Sequence, residues 1–211
     1  MDLNWGRLGL LKGKLAMAMP LGKQGPHPTT FFHWSRTIKL LEQRLGPIGL
    51  CHAWAMPVHT CRQFLADLML ESHYDWLLCI DSDMVWDDTL IYRLLLDLVE
   101  RPYIRFLSGT ARMSGMENGK HASVIYQHRQ DGWERQEVWP IDLFKVDRIG
   151  LFGHIIHRSV FESIQSPWYE GWDECYAFCD KVRAAGFDIW ADGRAPFGHI
   201  GQYVVDGLPE E

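Results

Sequence analysis

The chain has 211 residues, 47% hydrophobic and 23% charged, which suits one folded domain with a sizeable core and excludes a disordered chain. Its formal net charge of −6 argues against a general attraction to nucleic acid or anionic membrane. Five cysteines, at 51, 61, 79, 175 and 179, are odd in number and form no CxxC, so buried reduced thiols are expected rather than a disulfide framework. No uncharged apolar run approaches membrane-spanning length, and Asp2, Lys12 and Lys14 interrupt the first apolar residues. A cytoplasmic protein with no membrane span and no signal peptide is expected.

In chain order, 14–22 (KLAMAMPLG) reads as a first strand, followed by a loop rich in Gly, Pro and His. Phe31, Trp34, Ile38, Leu41 and Leu45 recur at helical spacing, and Gly46–Pro47 ends that helix. IGLCHAW (48–54) is a short strand. A helix after Pro57 carries Cys61, Phe64, Leu65, Leu68 and Met69 on its expected inner face. WLLCI (76–80) is the next strand. Asp87 or Asp88 caps a third helix with the stripe Leu90, Ile91, Leu94, Leu95 and Leu98. Strand and helix alternate in the way of a parallel sheet covered by helices.

The second half is less regular. IRFLSGT (104–110) is a strand, and 123–139 forms a hairpin turning at Asp131–Gly132. A last helix spans about 174–185, with Cys175, Phe178, Cys179 and Val182 inward, and FDIWA (187–191) closes the sheet. The expectation is one domain over 1–211, with a Rossmann-like half to about 110 and a more irregular half from about 111.

The segment DWLLCIDSDMVWDDTL (75–90) carries the chemistry. An apolar strand ends on Asp81 and Asp83, which point the same way because extended residues alternate faces. Ligands in open α/β sheets sit beyond the carboxyl ends of the strands. Paired carboxylates there suit Mg²⁺ or Mn²⁺ shared with substrate phosphates. The plainer alternative is a turn that caps the next helix, but Asp87 and Asp88 already supply that cap.

Three ordered blocks resemble the GT-A fold glycosyltransferases, especially compact family-2-like ones found in bacteriophages. They are TCRQFLADLMLESHYDWLLCIDSDM (60–84), FKVDRIGLFGHIIHRSVFESIQSPWYE (144–170) and FCDKVRAAGFDIWADGRAPFGHIG (178–201). The resemblance implies a single-domain, Rossmann-like, mainly parallel mixed sheet flanked by helices. It implies transfer from a UDP- or GDP-sugar, with a divalent ion, to an acceptor that family membership leaves open: modified DNA, a protein or a glycan. By position it makes Asp81 and Asp83 donor-binding and metal residues, His199 a further metal ligand, and Arg62 a donor-binding residue facing a phosphate. The family's base falls at Glu174 or Asp173; Cys175 stands where the family usually has Asp, and Asp173 is also an expected helix cap. Glu174 is the favoured base. Phe152 replaces a glycine and narrows the floor of the acceptor site, while Trp172 and His154 are candidate acceptor-side residues.

A nucleotidyltransferase on the same sheet is one alternative, with 20–28 as its phosphate loop. A catalytically inactive nucleotide- or glycan-binding module is another. Cys175 and Cys179, four apart on a helix, fit core packing better than zinc. The oligomeric state and the choice between inversion and retention are not legible.

Overall fold

A computed structural model describes residues 3–21, 25–117, 120–171, 173–201 and 204–205. A 3-10 turn, Trp5–Leu11, leads into β1 (Leu15–Leu21), every residue of which is buried. Then come α1 (Pro28–Leu45), β2 (Gly49–Trp54), α2 (Val58–Glu71), β3 (Trp76–Ile80), β4 (Met84–Val85), α3 (Asp88–Glu100) and β5 (Phe106–Thr110). Two hairpins follow, β6 (Arg112–Glu117) with β7 (Lys120–Ser123), and β8 (Ile125–Arg129) with β9 (Gly132–Arg135). The rest is β10 (Leu143–Val146), β11 (Arg148–Ile149), β12 (Gly153–His157), α4 (Arg158–Ser163), α5 (Glu174–Ala184), β13 (Ile189–Pro196), β14 (Gly198–Ile200) and β15 (Val204–Val205).

Seven strands form the central sheet in the order β10-β13-β5-β12-β3-β1-β2. β1 runs parallel to β2 and β3, and β13 parallel to β5. β12 is antiparallel to both β3 and β5, and β10 is antiparallel to β13. The architecture is therefore the mixed, mainly parallel α/β sheet flanked by helices that the sequence predicts. One expectation changes. The last sheet strand is longer than 187–191, and it lies inside the sheet because β10 pairs on its outer side.

Helix faces also shift. α3 buries its expected stripe, and Asp87 caps it by accepting from the Leu90 N–H at 2.8 Å. On α1, however, Phe31 is exposed while Thr30 and Thr37 are buried. The two hydroxyls explain the rotation: Thr30 Oγ1 donates to the Met84 carbonyl, and Thr37 Oγ1 accepts from Trp86 Nε1. Both bonds satisfy buried polar atoms in the segment just after Asp83, so α1 fixes that segment against the core. On α2, Phe64 is exposed, and Arg62 joins the buried face instead.

Close backbone approach fixes the other side of the site. A Cβ at Gly153, the first residue of β12, would lie 2.5 Å from the Phe197 ring. Only glycine lets that ring cross the strand and lead the chain into β14.

Candidate active site

β3 delivers Asp81 to the end of the sheet. Its N–H donates to the Phe152 carbonyl at 2.8 Å, extending the β3–β12 ladder beyond Ile80. The chain then bends through Ser82 and Asp83 into β4, which pairs with β14. This pairing places His199 opposite Met84, and the Ile200 N–H donates to the Asp83 carbonyl at 2.8 Å. Two segments far apart in sequence are thereby pinned side by side.

At that junction His199 Nε2 stands 3.1 Å from Asp83 Oδ2, and His199 Nδ1 stands 3.2 Å from the Arg112 carbonyl. A carbonyl can only accept, so the Nδ1 contact fixes a proton on Nδ1 and turns Nε2 toward Asp83. This is the arrangement in which a metal-ligating histidine is held by its second nitrogen. Burial lowers the His199 pKa, but the hydrogen bond and charge of Asp83 outweigh it and leave the imidazole above its ordinary value.

The pair fits Mn²⁺ or Mg²⁺ as a partial site. One carboxylate and one imidazole are acceptable donors, and such ions usually complete their shell with water and substrate phosphates. Among the described residues no three of His, Cys, Asp and Glu converge on one ion position. Asp81 faces Arg62 instead.

Arg62 is 4% exposed, so it is no surface charge. Its Nη2 donates to both Asp81 oxygens, at 2.9 and 2.8 Å, and to the Leu151 carbonyl at 2.8 Å. Its Nη1 donates to Glu174 Oε1 and lies 3.4 Å from Cys175 Sγ. The guanidinium is spent on protein partners, and the phosphate-facing role suggested by position would require breaking them. Burial pushes the Asp81 carboxyl up, with Arg62 opposing it.

Two clefts meet at Asp81. One is lined by Pro20, Leu21, Met56, Cys61 and Asp83. The other is lined by Arg112, Phe152, Asp173, Glu174 and His199. Glu174 is buried and bound to Arg62, whereas Asp173 is exposed. Asp173 stands at the N-cap of α5, yet its side chain makes no capping hydrogen bond. The expected competition from capping is therefore absent.

The remaining candidates separate. His154 is 1% exposed within β12, between β3 and β5. Burial, aided by the Arg62 charge, pushes its imidazole down to about 3. It lines neither of these two clefts. Trp172 lies outside the described residues. Phe152 packs edge-on to Phe197 at 5.8 Å and forms part of the second cleft's wall. Cys175 and Cys179 are free thiols, and burial raises each to about 12.

Sequence reasoning missed Arg112, whose carbonyl orients His199 and whose guanidinium lies 5.0 Å from the centre of the Trp139 ring. A main-chain acceptor has no side-chain signature, so nothing in the sequence marks it.

No family model matches the chain, and no curated protein matches it in sequence. Solved structures do match it in shape. A197 from STIV superposes with a TM-score of 0.65 at 17% identity, over 89% of this chain and 86% of that one. GalNAc-T7, solved with UDP, GalNAc and Mn²⁺, gives 0.54 at 12% identity, over 92% and 45%. Glucosyl-3-phosphoglycerate synthase from Mycobacterium tuberculosis, solved with Mn²⁺, UDP and phosphoglyceric acid, gives 0.50 at 11% identity, over 83% and 66%. The fold is GT-A. The chain spans less than half of the GalNAc-T7 chain and about two thirds of the synthase. Within the GT-A sheet, the Asp81–Asp83 bend and His199 lie at the carboxyl end of β3, where ligands of open α/β sheets bind.

Proposed function

We propose that this GT-A chain is a glycosyltransferase that moves a sugar from a nucleotide-diphosphate sugar to an acceptor, with Mn²⁺ or Mg²⁺ held by Asp83 and His199. The observation that carries the reading is the Asp83–His199 pair at 3.1 Å, oriented by the Arg112 carbonyl. When bound, the ion supplies positive charge to the departing diphosphate. Asp81, with two oxygens already turned by Arg62, accepts hydrogen bonds from donor hydroxyls. Asp173 takes the proton of the acceptor hydroxyl; its exposure and uncapped carboxylate support that role over Glu174.

The first cleft takes the nucleotide and the second takes the acceptor; residues to about 110 supply most of the donor half, to which His199 is added, and those from about 111 supply most of the acceptor half, to which Arg62 and Asp81 are added. UDP is the first nucleotide to test, because the structures of GalNAc-T7 and the synthase both contain it. The proposed setting is a cytoplasmic, phage-type enzyme acting on modified DNA or a glycan. No described helix is long and apolar enough to cross a membrane.

The test is thermal unfolding with UDP- and GDP-sugars, in Mn²⁺ or in EDTA, followed by donor hydrolysis. A metal-dependent rise with one nucleotide, accompanied by hydrolysis, supports the transferase. Binding without hydrolysis or transfer favours the inactive module, and release of diphosphate from a nucleoside triphosphate favours the nucleotidyltransferase.

A further inference from the structure

The guanidinium of Arg62 joins three elements distant in sequence: α2, which carries it, the end of β3 through Asp81, and the start of α5 through Glu174. The Leu151 carbonyl, just ahead of β12, is a fourth contact. Exposure rises across the group, from 4% at Arg62 and 8% at Glu174 to 24% at Asp81. Asp81 is its most open member, and it alone of the three borders both the nucleotide-side and acceptor-side clefts.

We propose that Glu174 is a positioning residue for the donor: through Arg62 it holds the Asp81 carboxylate in the orientation that meets the nucleotide sugar, and it does not accept the acceptor's proton. The inference rests on the donor-site reading given above.

The geometry of Arg62 carries the argument. A guanidinium has five N–H donors in a rigid plane, so its orientation is set by whichever donors are bonded. The buried Nε of Arg62 has no hydrogen-bond partner among the described residues. Its plane is therefore held by Nη1 and Nη2 alone. Nη2 serves Asp81 and Leu151, while among the described residues Nη1 has Glu174 as its one charged partner and the weak acceptor Cys175 Sγ at 3.4 Å. Without the Glu174 carboxylate, the Nη1 side is released and the fork beneath Asp81 loosens.

Charge leads to the same assignment. Two carboxylates share one permanent cation in a buried setting. Protonating Glu174 in a catalytic cycle would weaken its charge-assisted bond to a group that cannot lose its own proton, and would leave Asp81 as the one ionised partner of that guanidinium among the described residues. The ionised Asp81 still has lone pairs to offer the cleft, since a carboxylate provides about four acceptor sites.

The experiment uses the full chain, Mn²⁺ and the UDP- or GDP-sugar that raises its unfolding temperature most. Hydrolysis of that donor gives KM and kcat. Glu174→Gln, which keeps the shape and loses the charge, is expected to raise donor KM about tenfold or more, with kcat within about threefold of the parent. Glu174→Asp, which restores the charge on a shorter stem, is expected to recover part of the affinity. Arg62→Lys, which keeps charge without the fork, should show the same affinity-weighted loss, and it carries the test together with Glu174→Asp if Glu174→Gln does not fold. A kcat loss larger than the affinity loss makes Glu174 the proton acceptor and overturns the proposal. Unchanged kinetics in Glu174→Gln overturn it as well, while leaving the donor site standing. A parent that responds to no donor overturns both readings at once.

Discussion

His199 Nε2 and Asp83 Oδ2 lie 3.1 Å apart although 116 positions separate the two residues in the chain. Their meeting depends on the short β4–β14 pairing and on the Arg112 carbonyl, not on either residue's neighbours in sequence. The Asp83 side chain is half exposed and the His199 ring is largely covered, so the pair is a partly open site rather than a buried ion pair.

Removing that pair should abolish metal-dependent donor binding while sparing the fold. A donor at 100 times its dissociation constant adds about 2.7 kcal/mol, which for a chain of this size is a rise on the order of 5–10 °C in unfolding temperature. Asp83→Ala and His199→Ala should each lose that rise with Mn²⁺ present and unfold cooperatively without ligand. A full rise in either variant would remove that residue from the ion site.

Asp173→Asn tests the proton acceptor. Because its side chain takes no part in capping α5, the change should cost little stability. Loss of a general base lowers turnover by about 10²–10⁴-fold, and donor KM should stay near that of the parent. Transfer or hydrolysis at parental kcat would refute the assignment.

Gly153→Ala should destabilise by about 1–3 kcal/mol, the usual cost of overpacking, because the added methyl meets the Phe197 ring at 2.5 Å. Phe197 leads directly into β14, so donor binding should weaken too. Urea unfolding with and without donor separates the two effects; an unchanged midpoint would show that the ring moves aside freely.

A pH effect is expected from a group outside the site. Asp97, on α3, accepts from Arg101 Nη1 at 2.6 Å and from Arg194 Nη2 at 3.0 Å, beside the fully buried Asp192. Burial, followed by a shared hydrogen bond and charge repulsion with Asp192, pushes Asp97 up to about 6, against the pull of Arg194 and Arg101. The folded state thus holds a proton that the unfolded chain releases near pH 4. That contribution is present below about pH 4 and is lost as pH rises through about 6, an effect on the order of 2–3 kcal/mol at most. Asp97→Asn should remove this downward slope from stability measured between pH 4 and 7. A parental slope in the variant would contradict it.

The element order of the first half, through α3 and β5, was readable because it rests on local signals. The stripe on α3, the Asp87 cap and the apolar run that ends on Asp81 each depend on residues a few positions apart, and backbone periodicity expresses them directly. The hairpin of β8 and β9 was readable too, with Gly132 at φ 121° beside its turn. Asp81 and Asp83 could be singled out for the same reason: two charges at the end of a buried strand exceed what a helix cap needs.

Only the tertiary structure decided which side chains those residues meet. β12 enters antiparallel between β3 and β5, and that choice buries His154 and puts the Phe152 carbonyl on the Asp81 N–H. Arg62 carries no mark in sequence to distinguish a surface charge from a buried bridge; Asp81 and Glu174, 19 and 112 residues onward, make the difference. The exposed Phe31 and the buried Thr30 and Thr37 likewise follow from the polar atoms of a distant segment. Periodicity states which face of an element is apolar. Which polar groups are buried, and with whom, depends on contacts between elements, because a buried polar atom is tolerated only where another element brings its partner.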